Sequence, residues 1–97
     1  MITNSLKKKE KIEDLMGSRA RVKILKYLAI NEELTISQII SKTRLNYSCT
    51  SKHLNYLKMI GFIQEKNFGR IKIFRYKLEN IKARSLKNFI EILEGDC

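Results

Sequence analysis

Between Thr35 and Leu78 the apolar residues change period, and nothing else in the chain constrains its fold as tightly. Ile36, Ile39 and Ile40 recur at helical spacing, then Thr50, Leu54 and Leu57 fall on one face at i, i+4 and i+7, and finally Phe74, Tyr76 and Leu78 alternate as in a strand. The punctuation between these runs agrees with them. Thr35 and Gln38 have the spacing of a capping box at the start of the first helix. Thr43, Arg44, Leu45 and Asn46 form a turn, with Leu45 as an anchor and Asn46 as the N-cap of a helix over Tyr47–Ile60. Gly61 ends that helix, Phe62–Lys66 reads as a strand, Asn67-Phe68-Gly69-Arg70 as a turn and Ile71–Leu78 as the returning strand. The order is helix, tight turn, helix, β-hairpin.

Helical segments flank this unit. Leu6–Met16 reads as a first helix of mixed charge with Ile12, Leu15 and Met16 on one side; Gly17 interrupts it and Ser18 can cap the next helix. Arg19–Ile30 carries Val22, Leu25 and Ala29 on one face with Ile24 and Leu28 beside them, a surface broad enough for a central core helix. Asn31, Glu32 and Glu33 break the pattern. Asn80–Glu94 is helical, with Ala83 and then a stripe of Leu86, Phe89, Ile90 and Leu93. The absence of proline, with only four glycines, favours long helices and short connections. The expected fold is mainly α with a small β-hairpin (α+β): one domain over 1–97, made of an N-terminal helix (1–17), a winged helix-turn-helix core (18–78) and a C-terminal helix (79–97).

The net charge of +10 is unevenly distributed. Residues 1–33 hold eight basic and five acidic side chains, residues 34–78 hold nine and one, and residues 79–97 hold three and four. The positive field therefore belongs to the helix-turn-helix and hairpin, where it attracts polyanions and gains affinity from counterion release. Charge alone does not choose between nucleic acid and an anionic membrane surface. No apolar run approaches a membrane span and the first residues lack the apolar core of a signal peptide, so a cytoplasmic location is expected, or the host-cell cytoplasm for a viral chain. Two cysteines and one histidine supply neither a disulfide framework nor a zinc cluster. No nucleophile paired with a base and no phosphate-cradling glycine loop can be picked out, so an enzyme is not expected, nor a cofactor.

The helix starting at Tyr47 carries the chemistry. Opposite its leucines lie Ser48, Ser51, Lys52, Asn55 and Tyr56, short or flexible hydrogen-bonding groups suited to base edges and phosphates, with no carboxylate among them. Tyr47 at its start and Arg44 in the turn before it complete this side of the expected DNA-binding set. Lys66, Arg70 and Lys72 lie near the hairpin tip, where long cations can reach phosphates or a minor groove. Arg75 and Lys77 read as solvated strand residues, and Phe68 at the tip as either a contact within the fold, the favoured reading, or a wedge at the DNA surface.

The runs SRARVKILKYL, LTISQIISKT, LNYSCTSKHLNYLKMIGFI and GRIKIFRYKL resemble the ArsR-like and MarR-like winged-helix transcriptional regulators, in particular small single-domain forms of archaea and their viruses. The resemblance covers roughly residues 18–78, and its most specific part is Ser51, His53, Leu54, Leu57, Gly61, Phe62 and Ile63. It implies a homodimer on a two-fold symmetric operator, with Tyr47–Lys58 in the major groove of double-stranded DNA. The paired-cysteine and Asp/His ligand motifs of metal-sensing members are absent, and His53 stands where the family has a packing histidine. Cys49, at the start of the same helix, reads as a small side chain fitted near the backbone, ahead of the alternative of a thiol whose oxidation or alkylation alters DNA contact.

The near-neutral C-terminal helix, with Leu86, Phe89, Ile90 and Leu93, is expected to form the dimer interface together with the first helix; the competing reading lets the stripe cover its own core. Cys97 offers a bond between two copies, against the alternative of two free thiols. Three functions are expected in order: a sequence-specific DNA-binding regulator, an architectural DNA binder of little sequence preference, and a protein-interaction winged helix.

Overall fold

The computed structural model describes residues 11–95, with α1 at Ile12–Leu15, α2 at Arg19–Asn31, β1 at Glu33–Thr35, α3 at Ile36–Thr43, α4 at Tyr47–Met59, β2 at Ile63–Phe68, β3 at Ile71–Tyr76 and α5 at Ile81–Glu94. The beginning of the expected first helix and Cys97 lie outside the described residues.

Helices start where a side chain can satisfy the N–H groups of the first turn. Ser18 accepts from Arg21 N–H at 3.2 Å, and Asn46 from Cys49 N–H at 2.7 Å. Thr35 accepts from Gln38 N–H at 3.1 Å while the Gln38 side chain accepts from Thr35 N–H at 2.9 Å, closing the capping box. Asn80 caps α5 and also donates to the Gly61 carbonyl at 2.8 Å, which ties the start of α5 to the end of α4. That end is a Schellman turn: Gly61, at φ +81°, donates to the Lys58 carbonyl and Phe62 to the Leu57 carbonyl, both at 3.0 Å, so Leu57 and Phe62 enter the core together.

The core is built around α2, which contributes Ile24, Leu25, Leu28 and Ala29. Leu34, Ile39, Leu54, Leu57, Ile63, Phe74 and Tyr76 close on it from the other elements. Tyr76 is buried with its hydroxyl donating to the Ala83 carbonyl at 2.7 Å, which fastens α5 to the sheet.

Several expectations change. Of the expected break at Asn31, Glu32 and Glu33, Asn31 ends α2 and Glu33 opens a strand, Glu33–Thr35, which pairs antiparallel with β3 through Glu33↔Arg75, Leu34↔Phe74 and Thr35↔Ile73, giving a three-stranded sheet of order β1-β3-β2. A left-handed residue, Glu32 at φ 69°, turns the chain into it. Thr43 belongs to α3, not the turn. Its buried hydroxyl donates to the Ile39 carbonyl at 2.8 Å and accepts from Leu45 N–H at 3.3 Å, and Arg44 at φ 63° makes the corner. Ile12 is exposed while Leu15 is buried, because α1 is a single turn and only one side chain reaches the core. Leu78 lies just past β3 and is half-buried.

The hairpin is also tighter than its sequence suggests. Asn67 and Phe68 remain in β2, paired with Lys72 and Ile71, so only Gly69 and Arg70 form the turn. Gly69 stands at φ +61°, the left-handed first position that two-residue hairpin turns of the II′ kind require. Phe68 is thus on the last rung, beyond the reach of the core, and is 60 % exposed instead of making a fold contact.

Candidate nucleic-acid interface

Thr50, Leu54 and Leu57 are buried, which fixes the rotation of α4 and turns the opposite side outward. Tyr47, Ser48, Lys52 and Asn55 are exposed on that side, with Ser51 half-buried among them. Met59, one turn beyond Asn55, is exposed on the same line; the sequence gives no sign of this, because an apolar residue at a helix end reads as core. Tyr56 leaves the set. Its ring packs against the core and lies under the Arg21 guanidinium at 3.8 Å from the centroid.

Arg21 is a positioning group that the sequence alone does not reveal. It stacks on Tyr56, donates from Nε to His53 Nδ1 at 3.3 Å and donates to the Asp14 carbonyl, so one side chain of α2 joins α1 to α4. The bond to His53 uses the lone pair of Nδ1 and therefore needs a neutral imidazole. Burial, and then the charges of Arg21 and Lys52, hold the His53 pKa below its ordinary value. With the folded-state pKa lowered, the unfolded chain binds the proton more readily, so stability is complete above about pH 6.5 and declines as pH falls from there to the folded-state pKa. In urea unfolding between pH 7.5 and 5.5 the parent midpoint is expected to fall, and that of His53→Gln, whose amide oxygen can still accept from Arg21, to stay nearly level. Parallel slopes in the two proteins would remove His53 from this role.

The far end of α4 is tied to the wing. Lys58 Nζ lies 2.6 Å from Glu65 on β2, and this hydrogen bond, ahead of the opposing effect of burial, holds the Glu65 carboxyl below its ordinary pKa. The one acid of the basic stretch is thereby neutralised by contact. On the other side of the sheet Lys66, an expected phosphate ligand, pairs with Glu33 at 2.7 Å, reaching across β3, with both side chains still partly exposed. Arg75 is likewise engaged, with Gln64 at 2.7 Å and Glu79 at 2.9 Å, rather than simply solvated. Arg44 at the corner, Lys52 on α4, and Arg70 and Lys72 at the wing remain exposed.

At the N-terminal end of α4, Arg21, Asn46, Ser48, Cys49, Lys52 and His53 line a shallow depression of mixed polar and apolar surface. Elsewhere the C-terminal helix does not behave as one stripe. Leu86 and Ile90 are half-buried against their own core, whereas Phe89 and Leu93 are exposed; all four line an apolar groove shared with Met16, Val22 and Leu25. Among the described residues no group of three His, Cys, Asp or Glu could hold a metal, and no helix is long and apolar enough to cross a membrane.

A helix held from behind by leucines with its polar side outward, next to a hairpin standing beyond the core, is how a winged helix-turn-helix meets DNA, and the chain is a DNA-binding transcriptional regulator of that class. Residues 18–65 match the family described as bacterial regulatory protein, arsR family, and this winged-helix segment belongs to it. HlyU from Vibrio cholerae N16961 matches with a TM-score of 0.74 at 21% identity, over 99% of this chain and 100% of that one. The transcriptional repressor PagR of Bacillus anthracis matches at 0.65 and 24% identity, over 84% and 86%. Sso10a-2, a DNA-binding protein from Sulfolobus solfataricus, matches at 0.56 and 19%, over 79% and 82%. At these identities the likenesses establish the shared fold. No curated protein matches the sequence.

Proposed function

We propose that the protein is a sequence-specific regulator that binds double-stranded DNA as a homodimer, α4 lying in the major groove and the wing on the adjacent backbone or minor groove. The observation that carries this reading is the division of α4 into a fully buried leucine side and an outward side bearing Tyr47, Ser48, Lys52 and Asn55 with no carboxylate. Asn55 and Lys52 would read base edges, as amide and ammonium groups do in the major groove. Ser48, Ser51, Arg44 and Tyr47 would fix the register on phosphates. Met59 would add an apolar contact of the kind made with thymine methyl groups. Arg70 and Lys72 would contact the backbone from the wing, while Lys66 would serve chiefly to hold β1 and β2 together. The second subunit would pack on α5 through Phe89 and Leu93, setting two α4 helices about one DNA turn apart on a two-fold operator. Occupying such an operator would exclude polymerase from the promoter that contains it.

Selection of bound duplexes from random DNA, followed by competition titrations at several salt concentrations, tests this directly. The parent should prefer one inverted repeat over bulk DNA by about a thousandfold or more. Asn55→Ala or Lys52→Ala should relax the preference at particular base pairs, each by ~1–3 kcal/mol, and Arg70→Ala should weaken binding to every sequence alike while lowering the salt slope by about one. Equal affinity for all duplexes would make the protein an architectural binder instead.

A further inference from the structure

We propose that the wing tip is an apolar wedge: Phe68 and Ile71 enter the minor groove beside the half-site and part a base step there, so that the DNA is bent and the flanking sequence is selected for how easily it deforms. This deepens the DNA-binding reading above and rests on it. Phe68 and Ile71 are cross-strand partners on the last rung of the hairpin, so their side chains lie together on one face, 60 % and 53 % exposed. The rung before it, Asn67 with Lys72, is exposed as well, on the opposite face. The last two rungs are thus uncovered on both faces, and a Cβ built on Gly69 would meet no atom of the described residues within 4 Å.

An exposed aromatic beside an exposed isoleucine is unfavourable in water unless something covers the pair. The groups flanking it decide what. Arg70 and Lys72 are exposed cations, and the nearest acid in sequence, Glu65, is bonded to Lys58 and offsets only part of the charge of Lys72. An apolar pair at a hairpin tip of net positive charge complements a polyanion with an apolar interior, which describes stacked bases behind phosphates. The minor groove is only about 6 Å wide, too narrow for a two-stranded ribbon unless it opens. Inserting the pair between bases supplies that opening, with Arg70 and Lys72 on the phosphates either side. Flexible pyrimidine–purine steps would then be favoured under the wing at positions that no hydrogen bond reads.

The experiment places 2-aminopurine in turn at each base flanking the half-site of the selected duplex, with a donor–acceptor pair at the DNA ends to report bending. Parent protein should raise the fluorescence at one flanking step and bend the duplex by about 20–90°. The double variant Phe68→Ala, Ile71→Ala should abolish that rise, straighten the duplex and bind roughly tenfold more weakly, in line with the worth of one stacked aromatic. Its melting temperature should fall by no more than about 5 °C, the worth of one cross-strand pair, since both side chains are more than half exposed. Arg70→Ala at saturating protein should keep the rise. A rise and bend that persist in the double variant overturn the wedge while leaving the regulator reading intact. A parent that selects no duplex overturns both, and tip-dependent binding to phosphatidylserine vesicles in place of DNA would mark a membrane contact and overturn both.

Discussion

Leu54→Ala is expected to lower folding stability by ~3 kcal/mol, within the range for large-to-small changes in a packed core, and the melting temperature by roughly 15 °C for a domain of this size. Lys52→Ala, two residues away on the same helix, should change stability by no more than about 0.5 kcal/mol. Leu54 is 1 % exposed and packs with Leu57 against the residues that α2 supplies, so removing three carbons both forfeits transfer energy and leaves a cavity that flanking helices cannot fill without moving. Lys52 projects into solvent. The two variants should show the opposite order in DNA binding. Leu54→Ala, assayed well below its melting point, should keep the parent's sequence preference, whereas Lys52→Ala should lose part of it at full stability. Thermal melts followed by circular dichroism and competition titrations on one duplex give both readings. A large stability loss in Lys52→Ala would mean that the polar side of α4 is packed rather than presented, and the docking assignment would fall with it.

How much of this is legible in the sequence depends on the range of the forces involved. The three caps at Ser18, Thr35 and Asn46, the stop at Gly61 and the leucine spacing of α4 are local events between residues three or four apart. Such signals survive without tertiary context, and the outward side of α4 follows from them. β1 gives no comparable signal: in three residues only Leu34 turns inward, and its pairing energy comes from Arg75, Phe74 and Ile73 far along the chain. Lys66 reads as a free phosphate ligand for the same reason, because Glu33 reaches it only once β1 has joined the sheet. The bond from Arg21 to His53 likewise depends on how α2 crosses α4. Phe68 turns on register alone. A four-residue turn would have left it free to fold back, and the two-residue turn at Gly69 and Arg70 sends it out with Ile71.

Phe89→Asp is expected to yield a monomer that folds normally and binds the operator ~10²–10⁴-fold more weakly, the factor by which a linked second binding event commonly raises affinity. Phe89 is 54 % exposed, so the substitution removes little from the subunit's own core and the melting curve of the isolated subunit should survive. Leu93 and Ile92 are more exposed still, and Met16 and Val22 continue the apolar surface across the groove, with the buried Leu25 beneath it. A second copy related by a two-fold axis would bring the same patch to this one, and a carboxylate at its centre would then face apolar side chains with no partner for its charge. The competing use of the C-terminal stripe, covering its own subunit, is already taken by Leu86 and Ile90, which leaves Phe89 and Leu93 without that role. Sedimentation equilibrium reads the mass and titration against whole and half operators reads the coupling. In the parent, the whole operator should bind far more tightly than a half-site; in Phe89→Asp the two should differ by little more than the doubling of sites. An unchanged mass would exclude α5 from the interface, and a monomer that still prefers the whole operator by the parent's margin would refute the two-fold arrangement itself.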